Sequence, residues 1–241
     1  MIVETMGFKE VRAEIDAELP ELQKRATHFA PKYEKYLREK TKRIRSANQR
    51  RQYREPKAYS FTSMRKNKWT IIFDRDDLGL LNTFIVRFNS KKGPTAYMVG
   101  QPVDWDRFKT RILARFTGHF FSRYRERFGL DSDNATETIT TYFKNNPRLA
   151  CIPYDEIADG VARIYTPQKQ GMALGFIDLN EELHVYNTFL SDAEFKGEQK
   201  NVHGNLTKEY REILKSVELS AEEIMDIRRI LENLEGKEQD F

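Results

Sequence analysis

WTIIFDRDDLGLLNTFIVRFNSKKGPTAYMV, residues 69–99, is the stretch whose reading decides the fold. Trp69, Ile71 and Phe73 recur at every second position, which places them on one face of a β-strand. Asp74-Arg75-Asp76-Asp77-Leu78-Gly79 then turns the chain, and residues 83–88 form a second strand. Lys91-Lys92-Gly93-Pro94 turns it again before a third strand at 95–99. Short strands joined by Asp, Gly and Pro turns make an antiparallel meander.

Upstream the period is helical. Val11, Ile15 and Leu19 recur every four residues, Leu22 follows, and Tyr33, Tyr36, Leu37 and Ile44 extend the pattern to Glu55-Pro56. Pro20 and Pro31 are expected to punctuate this stretch into separate helices. Downstream, 109–116 reads equally as strand or helix. Thr117 can cap a helix that runs to Phe128 and stops at Gly129, and a second helix follows from Asn134 to Lys144. Strands are expected at 161–165, 172–179 and 183–190, and helices at 192–202, 206–217 and 221–234. Ser220 and Glu223 make a capping box for the last helix, and Gly236 ends it. The fold class is α+β: an antiparallel sheet with helices packed on it, a basic helical arm at 1–56 before it, and helices after it in a domain spanning 57–241.

Composition bounds the function. The 241 residues are 39% hydrophobic, with 16 Phe and 11 Tyr to fill a core, and no run of eighteen apolar residues suggests a membrane-spanning helix. Acids scattered through residues 1–20 leave no room for the apolar segment of a signal peptide, and a cytoplasmic location is expected. The single cysteine, Cys151, excludes an internal disulfide and a Cys-rich zinc module. The net charge of +4 is unevenly spread. Residues 24–54 hold twelve Lys and Arg against two acids, whereas 218–240 hold eight acids against three bases. Lys42, Arg43, Arg45, Arg50, Arg51 and Arg54 form an acid-free run suited to the phosphates of RNA or another nucleic acid. The same run reads equally as a solvated helix, or as a surface that meets the acidic C-terminal helices of its own chain or of a second copy.

FTGHFFSRYRERFGL, residues 116–130, carries the candidate chemistry. On a helical wheel Phe120, Phe121, Tyr124 and Phe128 share one arc, and His119, Arg123 and Arg127 stack at i, i+4 and i+8 beside it. A neutral imidazole in a helix's first turn suits a general base, and the arginines suit a phosphate's developing charge. The structural alternative pairs Arg123 with Glu126 and leaves His119 capping or packing. In the strand at 183–190, Leu183, Val185 and Phe189 would face one way and His184, Tyr186 and Thr188 the other, a face either solvated or part of a polar site. Gly171 and Gly175 in the preceding strand permit close backbone approach.

The order of a helix with HxxxRxxxR, a second helix, strands with an LG pair, and a final strand ending in TFLS before Gln199 resembles a known group. It is similar to the barnase–EndoU–colicin–RelE class of metal-independent ribonucleases, found in toxins and in phage and mobile-element proteins. The resemblance covers 116–199 within a candidate catalytic region of 110–202. It implies N-terminal helices followed by an antiparallel sheet, with His119 as acid or base, Arg123 or Arg127 as phosphate clamp, and Thr188 positioning the scissile phosphate. The RNA's own 2′-OH would attack the adjacent phosphate without a metal, so DNA would not react.

No cofactor is expected. His28, His119, His184 and His203 are scattered, HExxH and CxxC are missing, and neither GxxxxGK[ST] nor GxGxxG occurs. Cys151 sits in an apolar setting that suits an inert thiol. Two function classes follow. One is an RNA-cleaving enzyme built on His119, Arg123, Arg127 and Thr188. The other is a non-catalytic nucleic-acid-binding or scaffolding protein that uses the basic run, with a protein-interaction domain as a third possibility.

Overall fold

The computed structural model describes residues 1–76, 79–99, 113–130, 134–147, 152–158, 160–168, 170–178, 180–196 and 204. Helix α1 (Phe8–Thr41) and the short α2 (Ala47–Gln52) precede strands β1 (Lys57–Thr62), β2 (Lys68–Asp76), β3 (Gly79–Ser90), β4 (Gly93–Val99) and β5 (Leu113–Phe116). Helices α3 (Gly118–Arg127) and α4 (Ala135–Asn145) follow, then β6 (Ile152–Ala158), β7 (Val161–Gln168), β8 (Gly171–Asp178) and β9 (Leu183–Ser191). The described part of the expected helix at 192–202 is a 3-10 turn, Asp192–Glu194, followed by an extended Phe195, and 197–202 lie outside the described residues. The expected helices at 206–217 and 221–234 lie outside the described residues, as do Cys151, Gln199 and His203.

The fold is α+β. Its strands lie in the order β1-β2-β3-β4-β5-β9-β8-β7-β6, so two antiparallel meanders meet edge to edge. The joint is the one parallel pairing among the described strands, in which Leu113, Ala114, Arg115 and Phe116 face Leu183, His184, Val185 and Tyr186. A parallel pair needs a long crossover, and α3, α4 and the β6–β8 meander provide it. Two strands escape the sequence pattern. Both are edge strands: β1 mixes polar and apolar residues without clean alternation, and β6 carries Pro153 and two acids.

Pro20 and Pro31 do not divide the N-terminal segment, since α1 runs through both as one helix of 34 residues. Both prolines are exposed, and so are Asp16 and Thr27, the residues whose carbonyls each proline leaves without an i+4 donor. Those carbonyls can turn to water, while Val11, Ile15, Leu19, Leu22, Ala26, Tyr33 and Leu37 bury one continuous stripe along the same helix. Nor does Pro56 separate two cores. The α1 stripe packs directly on Trp69, Ile71 and Phe73 of β2, Phe84 and Val86 of β3, and Tyr97 and Val99 of β4. Residues 1–196 accordingly group as one unit and 197–241 as another. Glu18 anchors the docking: it is 2% exposed and accepts hydrogen bonds from the Ser63 hydroxyl, from Asn67 Nδ2 at 2.7 Å and from Trp69 Nε1 at 2.6 Å.

The other face of the sheet carries a second core. Phe120, Phe121 and Tyr124 of α3 and Ile139, Tyr142 and Phe143 of α4 pack on Ile72, Ile85, Ala96, Met98, Ala114, Phe116, Ile164, Ala173, Tyr186 and Phe189. Alternate residues of the β1–β5 half therefore serve different helices: odd positions of β2 face α1, and Ile72 faces α3 and α4. Among the described residues no helix is long and apolar enough to cross a membrane.

Candidate nucleic-acid interface

Helix α3 starts where the Thr117 side chain accepts from the Phe120 amide at 3.3 Å, so the sequence-derived cap holds. Its first residue must be small. A Cβ on Gly118 would collide with the Lys92 carbonyl in the β3–β4 turn, and this contact sets the helix against the sheet. Phe120, Phe121 and Tyr124 are buried. The stripe of His119, Arg123 and Arg127 forms, but its three members have different surroundings. His119 is exposed, and Arg123 is a surface cation whose Nη1 meets Glu126 at 3.0 Å, which is the structural alternative read from the sequence. Arg127 is only 15% exposed; it donates to the Phe189 carbonyl and forms an ion pair with Glu194. Burial would raise the Glu194 carboxyl, but hydrogen bonds from Arg127 and from the Ser191 amide and hydroxyl outweigh it and hold the group below the usual carboxylate range.

Arg127 thus ties α3 to the end of β9. Arg127→Met keeps the aliphatic stem and removes both bonds, leaving a carbonyl and a half-exposed carboxylate to water. It is expected to cost about 2 kcal/mol of unfolding free energy, measured in urea, without changing nucleic-acid affinity of the folded protein.

Thr188 lies on the other face of the sheet. The ladder between β8 and β9 pairs Gly175 with Tyr186 but Leu174 with Thr188, so Asn187 is an extra, bulged residue. The bulge shifts the alternation by one. Tyr186 and Phe189 both enter the core beneath α3, and Thr188 between them points away from it. The sequence-derived grouping of His184, Tyr186 and Thr188 on one polar face therefore fails. His184 and Tyr186 are buried, at 6% and 0% exposure, and the Tyr186 hydroxyl lies 2.6 Å from that of Thr166. Burial holds the His184 imidazole down at about 4. The close approach expected at Gly175 is real, because a Cβ there would collide with the Val185 carbonyl at this bulge. His119 is exposed on α3, and Thr188 lies on the face of β9 opposite to Phe189, which packs beneath that helix.

The basic run, by contrast, occupies one place. α1 ends at Thr41, Lys42 is its C-cap, and α2 begins after Ser46, whose side chain accepts from the Gln49 amide. Arg50 folds back on the turn, donating to the carbonyls of Ile44 and Arg45. It fixes the link, and Lys42, Arg43 and Arg45 are left exposed on it. Arg54 is also exposed, and Arg51 lies in α2, its side chain outside the described residues. The nearby carboxylate is already engaged: Glu55 accepts from the Tyr36 and Tyr53 hydroxyls and meets Lys40 at 3.4 Å. The Tyr36 and Tyr53 hydrogen bonds lower its pKa to about 2, with the Lys40 charge helping. Lys57, which the sequence reading passed over, sits 3.9 Å from the Tyr36 ring centre and adds a further cation. Its strand is the edge strand that the periodicity did not disclose.

Among the described residues no group of three or more His, Cys, Asp or Glu is placed to hold a metal ion. No family model, curated protein or solved structure matches the chain.

Proposed function

We propose that the chain binds nucleic acid, RNA foremost, through the cationic end built from the last turn of α1, the 42–46 link and α2, and that it does so without cleaving it. One observation carries this reading. Lys42, Arg43 and Arg45 are exposed and make no ion pair among the described residues, on a link braced by Arg50 beside a carboxylate already held by two tyrosines. Fixed, unneutralised cations release counterions when they meet phosphates, and this drives sequence-independent affinity. The ribonuclease reading retains His119 and Arg123 but has Thr188 on the wrong face and Arg127 engaged in structure.

The test is fluorescence anisotropy with single-stranded RNA across a salt series, run beside cleavage of an RNA pool in EDTA. Replacing Lys42, Arg43 and Arg45 together by alanine is expected to lower the slope of log affinity against log salt by about 2, from about 0.7 per lost contact, and to weaken binding about 100-fold at about 0.1 M salt. A triple variant with the wild-type slope would remove the interface from these residues. Cleavage products with 2′,3′-cyclic phosphate ends, lost in His119→Ala, would restore the enzyme. If the chain neither binds nor cuts, a protein partner or a second copy becomes the better reading.

A further inference from the structure

We infer that the pocket between the first turn of α4 and the β2–β3 ladder is a binding site for a phosphate group, with Arg87 as its anchor. The pocket encloses about 410 Å³, within the range of small-ligand sites. Lys66, Lys68, Arg87, Asn89 and Thr136 supply polar groups around it, and Ile139 of the α3–α4 core and the N-terminal residues 1–3 also line it.

Arg87 is the feature that calls for a ligand. The Arg87 side chain is half-buried and lines the pocket, its Nη1 is buried without a hydrogen-bond partner, and it forms no ion pair among the described residues. Burial pulls the guanidinium's pKa down, yet an arginine cannot relieve that cost by losing its proton. Native proteins leave few buried donors unmet, so each one asks for an explanation. Its cross-strand partner sharpens the point. Lys68 lies directly opposite Arg87, and like charges in that relation destabilise an antiparallel ladder. Both residues share the face of Ile72 and Ile85, toward α4. Lys66 reaches the same pocket from the β1–β2 turn, where its φ is 65° and its amide donates to the Ser63 carbonyl at 2.9 Å.

Three cations around one cavity exceed what a single carboxylate can neutralise. A phosphate dianion matches them in charge, and its oxygens match a guanidinium fork in geometry. The pocket lies at the Thr62–Lys68 end of the β1–β2 hairpin, and the cationic link that ends in Arg54 adjoins the Lys57–Phe73 end. The inference is therefore independent of the proposed RNA interface.

The experiment titrates the full chain with inorganic phosphate by calorimetry and follows its melting temperature. Wild type should bind saturably and melt higher with phosphate. Arg87→Met should weaken binding at least about tenfold, abolish the phosphate-dependent rise, and melt no lower than wild type in phosphate-free buffer. Lys68→Gln, an exposed replacement that leaves the fold intact, should weaken phosphate severalfold even if Arg87→Met fails to fold. No saturable binding by wild type, or wild-type affinity in either folded variant, overturns the inference. A short oligouridylate distinguishes the source of the phosphate. Competition with inorganic phosphate and weakening by Arg87→Met assign the pocket to a nucleic-acid backbone, whereas oligouridylate binding unmoved by Arg87→Met assigns it to a free phosphate compound. The inorganic-phosphate titration and the melting shift do not depend on Lys42, Arg43 and Arg45, so failure of the proposed RNA interface leaves both in place.

Discussion

Phe116→Ala is expected to lower the unfolding free energy by about 4 kcal/mol, enough to remove much of the stability of an ordinary domain. Phe116 is fully buried. Its ring stacks on Tyr186 at 4.8 Å and meets Phe120 at 5.1 Å, Tyr142 at 5.4 Å and Phe143 at 5.0 Å. One side chain thus joins both central strands, β5 and β9, to both helices of the second core. Truncation forfeits the transfer energy and leaves a cavity that four rigid rings cannot fill by relaxing. Phe116→Leu should cost much less, and Met64→Ala, at a side chain 89% exposed, should stay within about 0.5 kcal/mol of wild type. Urea unfolding of the three variants decides the matter. A Phe116→Ala loss below that of Phe116→Leu would mean the aromatic cluster is not the joint between the two meanders.

Acid should weaken the fold in a window set by His184. The imidazole is neutral in the folded protein, with its pKa held at about 4 by burial, against an ordinary value near 6.5. Between those two values the unfolded chain binds a proton that the folded chain refuses. The stability is therefore complete above about pH 6.5 and falls as pH drops toward 4, by about 3 kcal/mol in all. Glu14 adds a loss of the same sign at lower pH. Hydrogen bonding from Arg65, opposed by burial and aided by the N-terminal amine and Asn67, holds its carboxyl at about 2, so its contribution fades from about pH 4.5 downward. His184→Leu should flatten the slope between pH 6.5 and 4 and leave the lower window intact. A wild-type slope in that variant would assign the acid sensitivity to other groups.

Much of this architecture is legible from residue order alone. The strands at 69–73, 83–88 and 95–99 announce themselves by period-two burial, and Thr117 and Asn134 cap α3 and α4 with the side chains their types suggest. These are local properties, decided within a few residues. Three departures of the structure from the local sequence pattern share one cause. Pro20 and Pro31 break helices when nothing else holds the register, and here a buried stripe on both sides of each proline holds it. Thr188 leaves the face of Tyr186 because Asn187 is inserted opposite a glycine in the neighbouring strand, so the alternation depends on a partner far away in the chain. Arg127 has the same local setting as Arg123, four residues earlier on the same helix, and only Glu194 and the Phe189 carbonyl make it structural.

The candidate sites divide in the same way. The Lys42–Arg54 run is visible as composition, since charge density along a chain needs no folding to be counted. Arg87 is invisible there. It is one arginine in a strand until β2 sets Lys68 opposite it and both line one pocket with the first turn of α4.

Residue order alone thus determined the α+β class, the main strands, the helix caps and the polarity of charge, because short-range sterics, periodicity and composition act within a few residues. Tertiary structure alone decided that β5 and β9 run parallel, that α1 belongs to the main core, that His184 is buried, and which arginines are tied to carboxylates and carbonyls. Each of those outcomes rests on a contact between residues distant in the chain, and the energy of such a contact exists only once both partners are in place.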